Sequence, residues 1–152
     1  METAIRIAIY IHAFFGGIGL ISGTLSLVTK KGSKIHKKSG KWFVIGMLVS
    51  LGLSLPIASM PGHYSPFLFL IGLFTIYMVL VGKRVLRFKL KTAQVTKADW
   101  AITITMTILS LMMILSGVLN VFGNKILFIF FGIISLVLCF QDFRFWRNPR
   151  KS

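Results

Sequence analysis

Long hydrophobic runs separated by short polar segments dominate this chain. Five of the runs approach the roughly 20 apolar residues that an α-helix needs to cross a bilayer. We predict spans at about residues 3–29, 42–60, 66–82, 100–122 and 126–140. The pattern therefore predicts an all-α integral membrane protein, with residues 1–152 forming a single transmembrane domain, a bundle of five helices.

Residues at the ends of these runs support the boundaries. Ser65 followed by Pro66 is typical of an N-cap and the first turn of a helix. Asp99 predicts the N-cap of the fourth helix, because its negative charge suits a helix N-terminus. Gly123 and Asn124 predict a tight turn between the last two spans.

Positive charge is confined to three clusters that separate or follow the hydrophobic runs. The clusters hold 6, 6 and 4 of the 18 basic residues: Lys30, Lys31, Lys34, Lys37, Lys38 and Lys41, then Lys83, Arg84, Arg87, Lys89, Lys91 and Lys97, then Arg144, Arg147, Arg150 and Lys151. Only Arg6 and Lys125 fall on the opposite side. By the positive-inside rule, we expect the N-terminus to be outside and the C-terminus to be in the cytoplasm.

The net charge of +15 has a simpler explanation than nucleic-acid binding. A basic soluble protein would invite that interpretation, but the apolar runs leave too little polar surface for it, and we predict no nucleic-acid partner. Anionic lipids of the cytoplasmic leaflet attract each nearby Lys or Arg by about 1 kcal/mol. Cys139, the single cysteine, is expected to be a packed apolar residue.

His12 lies well inside the first span, where an ionisable side chain is costly and therefore a candidate for function. It shares one helix face with Gly16, Gly19 and Gly23, which follow it by 4, 7 and 11 residues. A glycine face lets another helix, or a flat cofactor, approach the backbone closely. The pattern predicts either a helix-packing seam around a hydrogen-bonded histidine or a ligand-binding or proton-handling site.

A second histidine lies in the basic segment before the second span. His36, with Lys37, Lys38 and Lys41, is a candidate site for an anionic headgroup, a phosphate or a cofactor carboxylate, which lysines bind as unselective point charges. The alternative is a basic loop that only sets the topology.

Polar residues of the fourth span are expected to hydrogen-bond between or within helices, as small hydroxyl residues commonly do in membranes. Thr103 and Ser110 fall on one face of this span. Asn120 is predicted near its outer end and forms, with His12 and Ser54, a candidate intramembrane polar site.

The sequence lacks the residues that several kinds of chemistry need. All three acidic residues (Glu2, Asp99 and Asp142) are expected near the ends of spans, whereas pumps and ion-coupled transporters usually carry a buried carboxylate. We find no nucleophile–base constellation, no phosphate-binding loop, no zinc spacing and no inverted repeat of the kind that marks transporters. On balance, the sequence favours a protein that is not an enzyme.

The first part of the chain carries a recognisable order of residues. His12 and its glycines are followed by Lys31-Gly32-Ser33, His36-Lys37, Gly40-Lys41 and Met47. In this order, roughly the first 90 residues resemble a family of bacterial multi-pass membrane proteins of unknown function. In that family a histidine opens the first span and a Lys-Gly…His-Arg…Gly segment leads into the second. Lys37 stands where an arginine is commoner, and the resemblance implies no particular activity.

The same basic segment resembles, more weakly, the second-helix entry of bacterial b561-type cytochromes, which raises a haem hypothesis. The three histidines cannot supply four axial ligands, and His12 and His36 are predicted in opposite halves of the membrane. One haem b held by His12 with His63, or with a methionine such as Met113, stays open. His63, in the short outer loop, is otherwise expected to be an interfacial residue, and no cofactor is required.

Three functions are compatible with these residues. The first is a non-catalytic membrane component that assembles with itself or with a larger complex. The second is a single-haem or quinone-associated redox protein that uses His12. The third is a small transporter or lipid-binding protein that uses the polar residues of the outer half.

Overall fold

Five α-helices account for all regular structure in residues 2–89 and 94–148, which the computed structural model describes. Their bounds are α1 Glu2–Val28, α2 Lys34–Ser59, α3 Pro66–Lys89, α4 Lys97–Val118 and α5 Lys125–Arg147. Each helix is long and apolar enough to cross a membrane, as predicted. Lys91, Arg150 and Lys151, which belong to the basic clusters, lie outside the described residues.

The second helix begins earlier than the hydrophobic run that predicted it. We expected its start at about residue 42, but α2 begins at Lys34. Ser33 is the N-cap, and its hydroxyl accepts a hydrogen bond from the backbone N–H of His36 at 3.1 Å. The predicted basic loop is therefore mostly helix, because the cap, and not the onset of hydrophobicity, sets the start.

The fourth helix begins with a capping box. We predicted Asp99 as the N-cap, but the N-cap is Thr96 and Asp99 lies three residues into the helix. The Asp99 carboxylate accepts hydrogen bonds from the backbone N–H of Thr96 at 2.7 Å and from its hydroxyl at 2.8 Å. An acidic residue at this position satisfies the cap backbone from inside the first turn.

The same helix ends before the predicted boundary at residue 122. Asn120 has a φ of 51°, in the left-handed region. Its N–H donates to the carbonyl of Gly117, and the N–H of Val121 donates to that of Ser116, which is the Schellman pattern of a helix C-terminus. The prediction that Asn120 belongs to the fourth span is therefore wrong, because this residue terminates the helix.

The third and fifth helices extend further than their hydrophobic cores. They were expected to end at about residues 82 and 140 and end instead at Lys89 and Arg147. Long basic and aromatic side chains allow such extensions at a membrane surface. As a result, Asp142 lies inside α5, five residues before its end. Asp99 is the third residue of α4, so both acidic residues lie near helix ends, as expected.

The chain divides into two compact units, Met1–Val79 and Leu80–Ser152. In the first unit α1 packs antiparallel on α2, and in the second α4 packs antiparallel on α5. The first part of α3 belongs to the first unit, where a Cβ added to Gly72 would lie 2.9 Å from a methyl carbon of Leu55. The last part of α3 belongs to the second unit and carries Arg84.

Candidate functional site

His12 pairs with Ser50 across the α1–α2 interface. Its Nδ1 lies 2.8 Å from the backbone carbonyl oxygen of Ser50 and 3.0 Å from the Ser50 hydroxyl oxygen. The Ser50 hydroxyl in turn donates to the backbone carbonyl of His12 at 3.0 Å. Each residue thus bonds the main chain of the other helix, and these bonds fix the two helices against each other at this level.

His36 makes the same kind of pair in the opposite direction. This histidine is on α2, and its Nδ1 lies 2.9 Å from the backbone carbonyl oxygen of Ser26 on α1. The Ser26 hydroxyl oxygen is 3.4 Å from the same nitrogen. Each helix therefore contributes one histidine and one serine to the two pairs that join α1 to α2.

The two pairs are related by a short internal repeat. His12, Gly16 and Ser26 correspond to His36, Gly40 and Ser50 at a constant shift of 24 residues. Because α1 and α2 are antiparallel, this repeat is inverted and relates the two ends of the hairpin. This repeat is not of the kind that marks transporters, since few positions match and the shift is shorter than a transporter repeat. The two pairs lie about 21 Å apart along the helices, at 1.5 Å per residue.

The carbonyl partners define the state of both imidazole rings. A carbonyl oxygen only accepts, so Nδ1 carries the proton in each histidine. In a neutral ring Nε2 is then a free acceptor, and no partner for it is found among the described residues of this unit. This arrangement is also how metal-binding histidines are oriented. Ser50 is only 4% exposed and its hydroxyl faces a carbonyl, so the His12–Ser50 pair is not a nucleophile with its base.

The predicted glycine face lies against α2. A Cβ added to Gly16, Gly19 or Gly23 would come within 3.2 Å of Ser50, 2.9 Å of Met47 and 2.9 Å of Phe43, respectively. Gly46 on α2, which the sequence analysis did not single out, makes the closest approach. Its added Cβ would lie 2.8 Å from the Phe15 carbonyl oxygen and 2.9 Å from the Gly19 nitrogen. Backbone meets backbone here, so this face is occupied by protein in the structure.

The lysines around His36 do not converge with it. Lys37, Lys38 and Lys41 are exposed on the first two turns of α2. The His36 ring is directed at Ser26 on α1, whereas Lys37 and Lys38 follow it by roughly 100° and 200° around the helix. Lys37, Lys38 and Lys41 therefore lie on a side of α2 that is turned away from the His36 ring, and the structure does not bring His36 together with them.

The other predicted polar residues lie apart from His12. Ser54 bonds its own helix, donating to the Leu51 carbonyl at 2.9 Å. Asn120 belongs to the second unit, where it caps α4. The three residues of the candidate intramembrane polar site are therefore not brought together by the contacts of either unit.

The predicted haem ligands are also dispersed. His63 is exposed in the turn after α2, about 14 Å beyond the level of Ser50 and His12 along that helix. Met113 is 0% exposed inside the second unit, so its sulfur is covered by protein in the structure. Among residues 2–89 and 94–148, no group of three or more His, Cys, Asp or Glu side chains could hold a metal ion.

An ion pair that the sequence analysis missed joins α3 to α4 within the second unit. The Arg84 guanidinium donates Nε–H to Asp99 Oδ1 at 2.6 Å and forms a second hydrogen bond through Nη2 to Oδ2. It also reaches the Thr96 hydroxyl at 3.1 Å. In the sequence, Arg84 is one of several topology-setting charges. The signal for its partner is Asp99, an acidic residue inside that basic segment.

Comparisons with known proteins give no match to a family model, to a curated protein or to a solved structure. The resemblance to a bacterial membrane family therefore stays a prediction from residues.

Proposed function

We propose that the protein is a multi-pass component of a bacterial cytoplasmic membrane with a non-catalytic, accessory role in a membrane assembly, formed with its own copies or with a larger complex. One observation carries this proposal. The most conspicuous motif, His12 with its glycines, packs α1 against α2, and His36 repeats the arrangement. Residues that would otherwise be the best candidates for chemistry are used to build a fixed hairpin.

The outer surface of α1 supports assembly. Only 6% of the residues in its 18-residue apolar stretch are buried. Tyr10, Phe14 and Ile21 are 75%, 66% and 73% exposed. Aromatic side chains on an exposed apolar face are frequent at the centre of protein interfaces, and α1 is held in place by α2 to present them.

Native mass spectrometry of the protein in lipid nanodiscs tests the accessory role. We expect species heavier than one chain, and we expect the double variant Tyr10→Ala, Phe14→Ala to convert them to monomers. The matched control is Ile104→Ala, Ile108→Ala, which truncates two exposed residues one turn apart on α4. Monomers alone at all concentrations, or equal loss in both variants, would contradict the proposal.

The proposed orientation has its own test. Cys139 is 1% exposed, so it gives little background in thiol labelling of the folded protein. A cysteine at Tyr64 should react with a membrane-impermeant maleimide in intact cells, and one at Lys37 should react only after lysis. The reverse pattern would overturn the orientation without affecting the fold.

A second candidate function follows from the free Nε2 of His12. With Nδ1 committed to Ser50, Nε2 can coordinate a haem iron or accept a hydrogen bond from a quinol hydroxyl. A reduced-minus-oxidised absorption spectrum of the purified protein tests the haem form. A b-type band that is lost in His12→Gln but kept in His63→Gln would favour this candidate, and a colourless preparation would remove its haem form.

A further inference from the structure

A surface groove of about 500 Å³ lies beside the last two turns of α5 in the second unit. Its walls are both apolar and basic: Trp100, Phe140, Phe143, Arg144, Arg147 and Asn148. The Trp100 and Phe143 rings are in contact, with centroids 5.8 Å apart, and join α4 to α5 at the base of the groove. None of the residues discussed above as candidate site residues lines it.

The two arginines lie on the same face of α5 as the aromatic residues. Phe140, Phe143, Arg144 and Arg147 follow one another at intervals of three, one and three residues, which keeps them on one side of a helix. Arg144 and Arg147 are exposed. They are the two charged residues among the six that line the groove, and none of the six is acidic.

The depth of these groups matches an amphipathic ligand. Arg147 is at the end of α5, whereas Phe140 lies about 10 Å deeper along the helix axis. Phe140 is 69% exposed, so it offers an apolar surface below the guanidinium groups. Arginine binds phosphate oxygens through two parallel hydrogen bonds, and aromatic residues favour the headgroup level.

We propose that this groove binds one anionic phospholipid, with Arg144 and Arg147 holding its phosphate and with Trp100, Phe143 and Phe140 contacting its glycerol backbone and the start of an acyl chain. The site is distinct from the lysines of α2 that the sequence predicted for headgroups. It requires membrane insertion with the C-terminus in the cytoplasm, but it does not depend on the accessory role.

Lipid retention measured by native mass spectrometry tests the site. Protein released from nanodiscs of phosphatidylglycerol and phosphatidylcholine should retain one phosphatidylglycerol molecule preferentially. The double variant Arg144→Gln, Arg147→Gln should weaken this binding about 10- to 30-fold, which is the product of about a three- to fivefold contribution from each arginine that contacts the phosphate directly. Arg144→Lys, Arg147→Lys keeps the charge but loses the paired hydrogen bonds, and should weaken binding by a smaller factor.

Lys37→Gln, Lys38→Gln is the matched control, because it removes the same charge from exposed positions on α2. We expect less than a twofold change in this variant. Equal weakening in the lysine and arginine variants would mean diffuse attraction between a basic surface and anionic lipid, and would overturn the groove. Trp100→Leu keeps both arginines and should also weaken retention, so unchanged retention there would contradict the apolar part of the site.

Soluble competitors separate a lipid site from a phosphate site. Millimolar glycerol 1-phosphate or inorganic phosphate should leave the bound phosphatidylglycerol in place, because neither can contact Phe140 and Trp100. Displacement by either one would show a site for free phosphate and would contradict the lipid assignment. All of the varied side chains are wholly or partly exposed, and an unchanged helical circular dichroism spectrum would verify that each variant is folded.

Discussion

The two hairpins of this protein differ in the size of the residues that they bury. The buried residues of α1 and α2 are all small: Gly19, Ser22, Ser39, Gly46, Ser50 and Ala58. Those of α4 and α5 include Met113, Phe128 and Trp146, with Ser110 and Ser135 between them. The first hairpin buries small residues only. The second combines close backbone approaches at Gly117 and Gly132, where an added Cβ would lie 3.0 Å from the Lys125 carbonyl oxygen and 3.2 Å from that of Ser110, with large side chains that fill the rest of the space.

The polar contacts between the two helices also differ from one hairpin to the other. Close backbones in the first hairpin let His12 and Ser50 reach the main-chain carbonyls of the opposite helix. In the second hairpin the bonds join side chains, from Ser110 to Ser135 at 2.5 Å and from Trp146 to the Thr103 hydroxyl at 3.0 Å. Between membrane helices, packing and hydrogen bonds replace the hydrophobic effect as the source of association. The two hairpins divide these contributions differently.

The largest expected effect is a cavity in the second hairpin. Phe128 is 1% exposed, and Phe128→Ala removes its whole phenyl ring and leaves a cavity. We expect the free energy of unfolding to fall by about 3–4 kcal/mol. Unfolding by sodium dodecyl sulfate in mixed micelles measures it. Phe130→Ala, at a 55% exposed position of the same helix, should change it by less than about 0.5 kcal/mol. Similar losses in both variants would mean that α5 does not bury the face described here.

The first hairpin should be more sensitive to enlargement of its buried residues than to their truncation. Gly46→Ala places a methyl group 2.8–3.2 Å from backbone atoms of Phe15 and Gly19, so α1 must move away. We expect a loss of about 2–3 kcal/mol in the same unfolding assay. Gly52→Ala is the matched control, since a Cβ there meets nothing within 4 Å, and it should be neutral or stabilising. Equal stability of the two variants would refute the close backbone contact.

The second unit has an additional constraint in the Arg84–Asp99 ion pair. Asp99 is 2% exposed and Arg84 28% exposed, so the arginine is partly screened by solvent. Asp99→Asn removes the charge that pairs with Arg84 and weakens the capping of α4, and we expect a cost of about 2 kcal/mol. Arg84→Gln should cost less in the Asp99→Asn background than alone, and a double-mutant cycle in the unfolding assay measures this coupling. Strictly additive effects would mean that the pair contributes nothing to stability.

The sequence was most informative where its residue types were unusual. A histidine and three glycines on one face of α1 predicted either close packing or a ligand, and in the structure that face lies against α2. The counterpart on α2 is not evident from the sequence, because the hydrophobic run that predicts the second helix begins after His36. Hydrophobic length measures how much of a helix fits the bilayer, whereas Ser33 and Thr96 set where helices begin. Ordinary residues such as Ser135 and Trp146 carry no such signal, since their roles depend on which helix they face.

The smallest expected effects test whether the two histidine–serine pairs are equivalent. Ser50→Ala and Ser26→Ala each remove a hydroxyl but keep the main-chain carbonyl that His12 or His36 contacts. Hydrogen bonds between membrane helices average about 0.6 kcal/mol, so each variant should lose about 0.5 kcal/mol in the unfolding assay. Ser50→Ala should cost more, because its hydroxyl also donates to the His12 carbonyl and lies nearer the ring, at 3.0 Å against 3.4 Å for Ser26.

The pairs are about 21 Å apart, so the double variant should lose the sum of the two. A larger loss in Ser26→Ala than in Ser50→Ala would reverse the order of strength that the geometry predicts, and would place the stronger attachment of α1 to α2 at the His36 end.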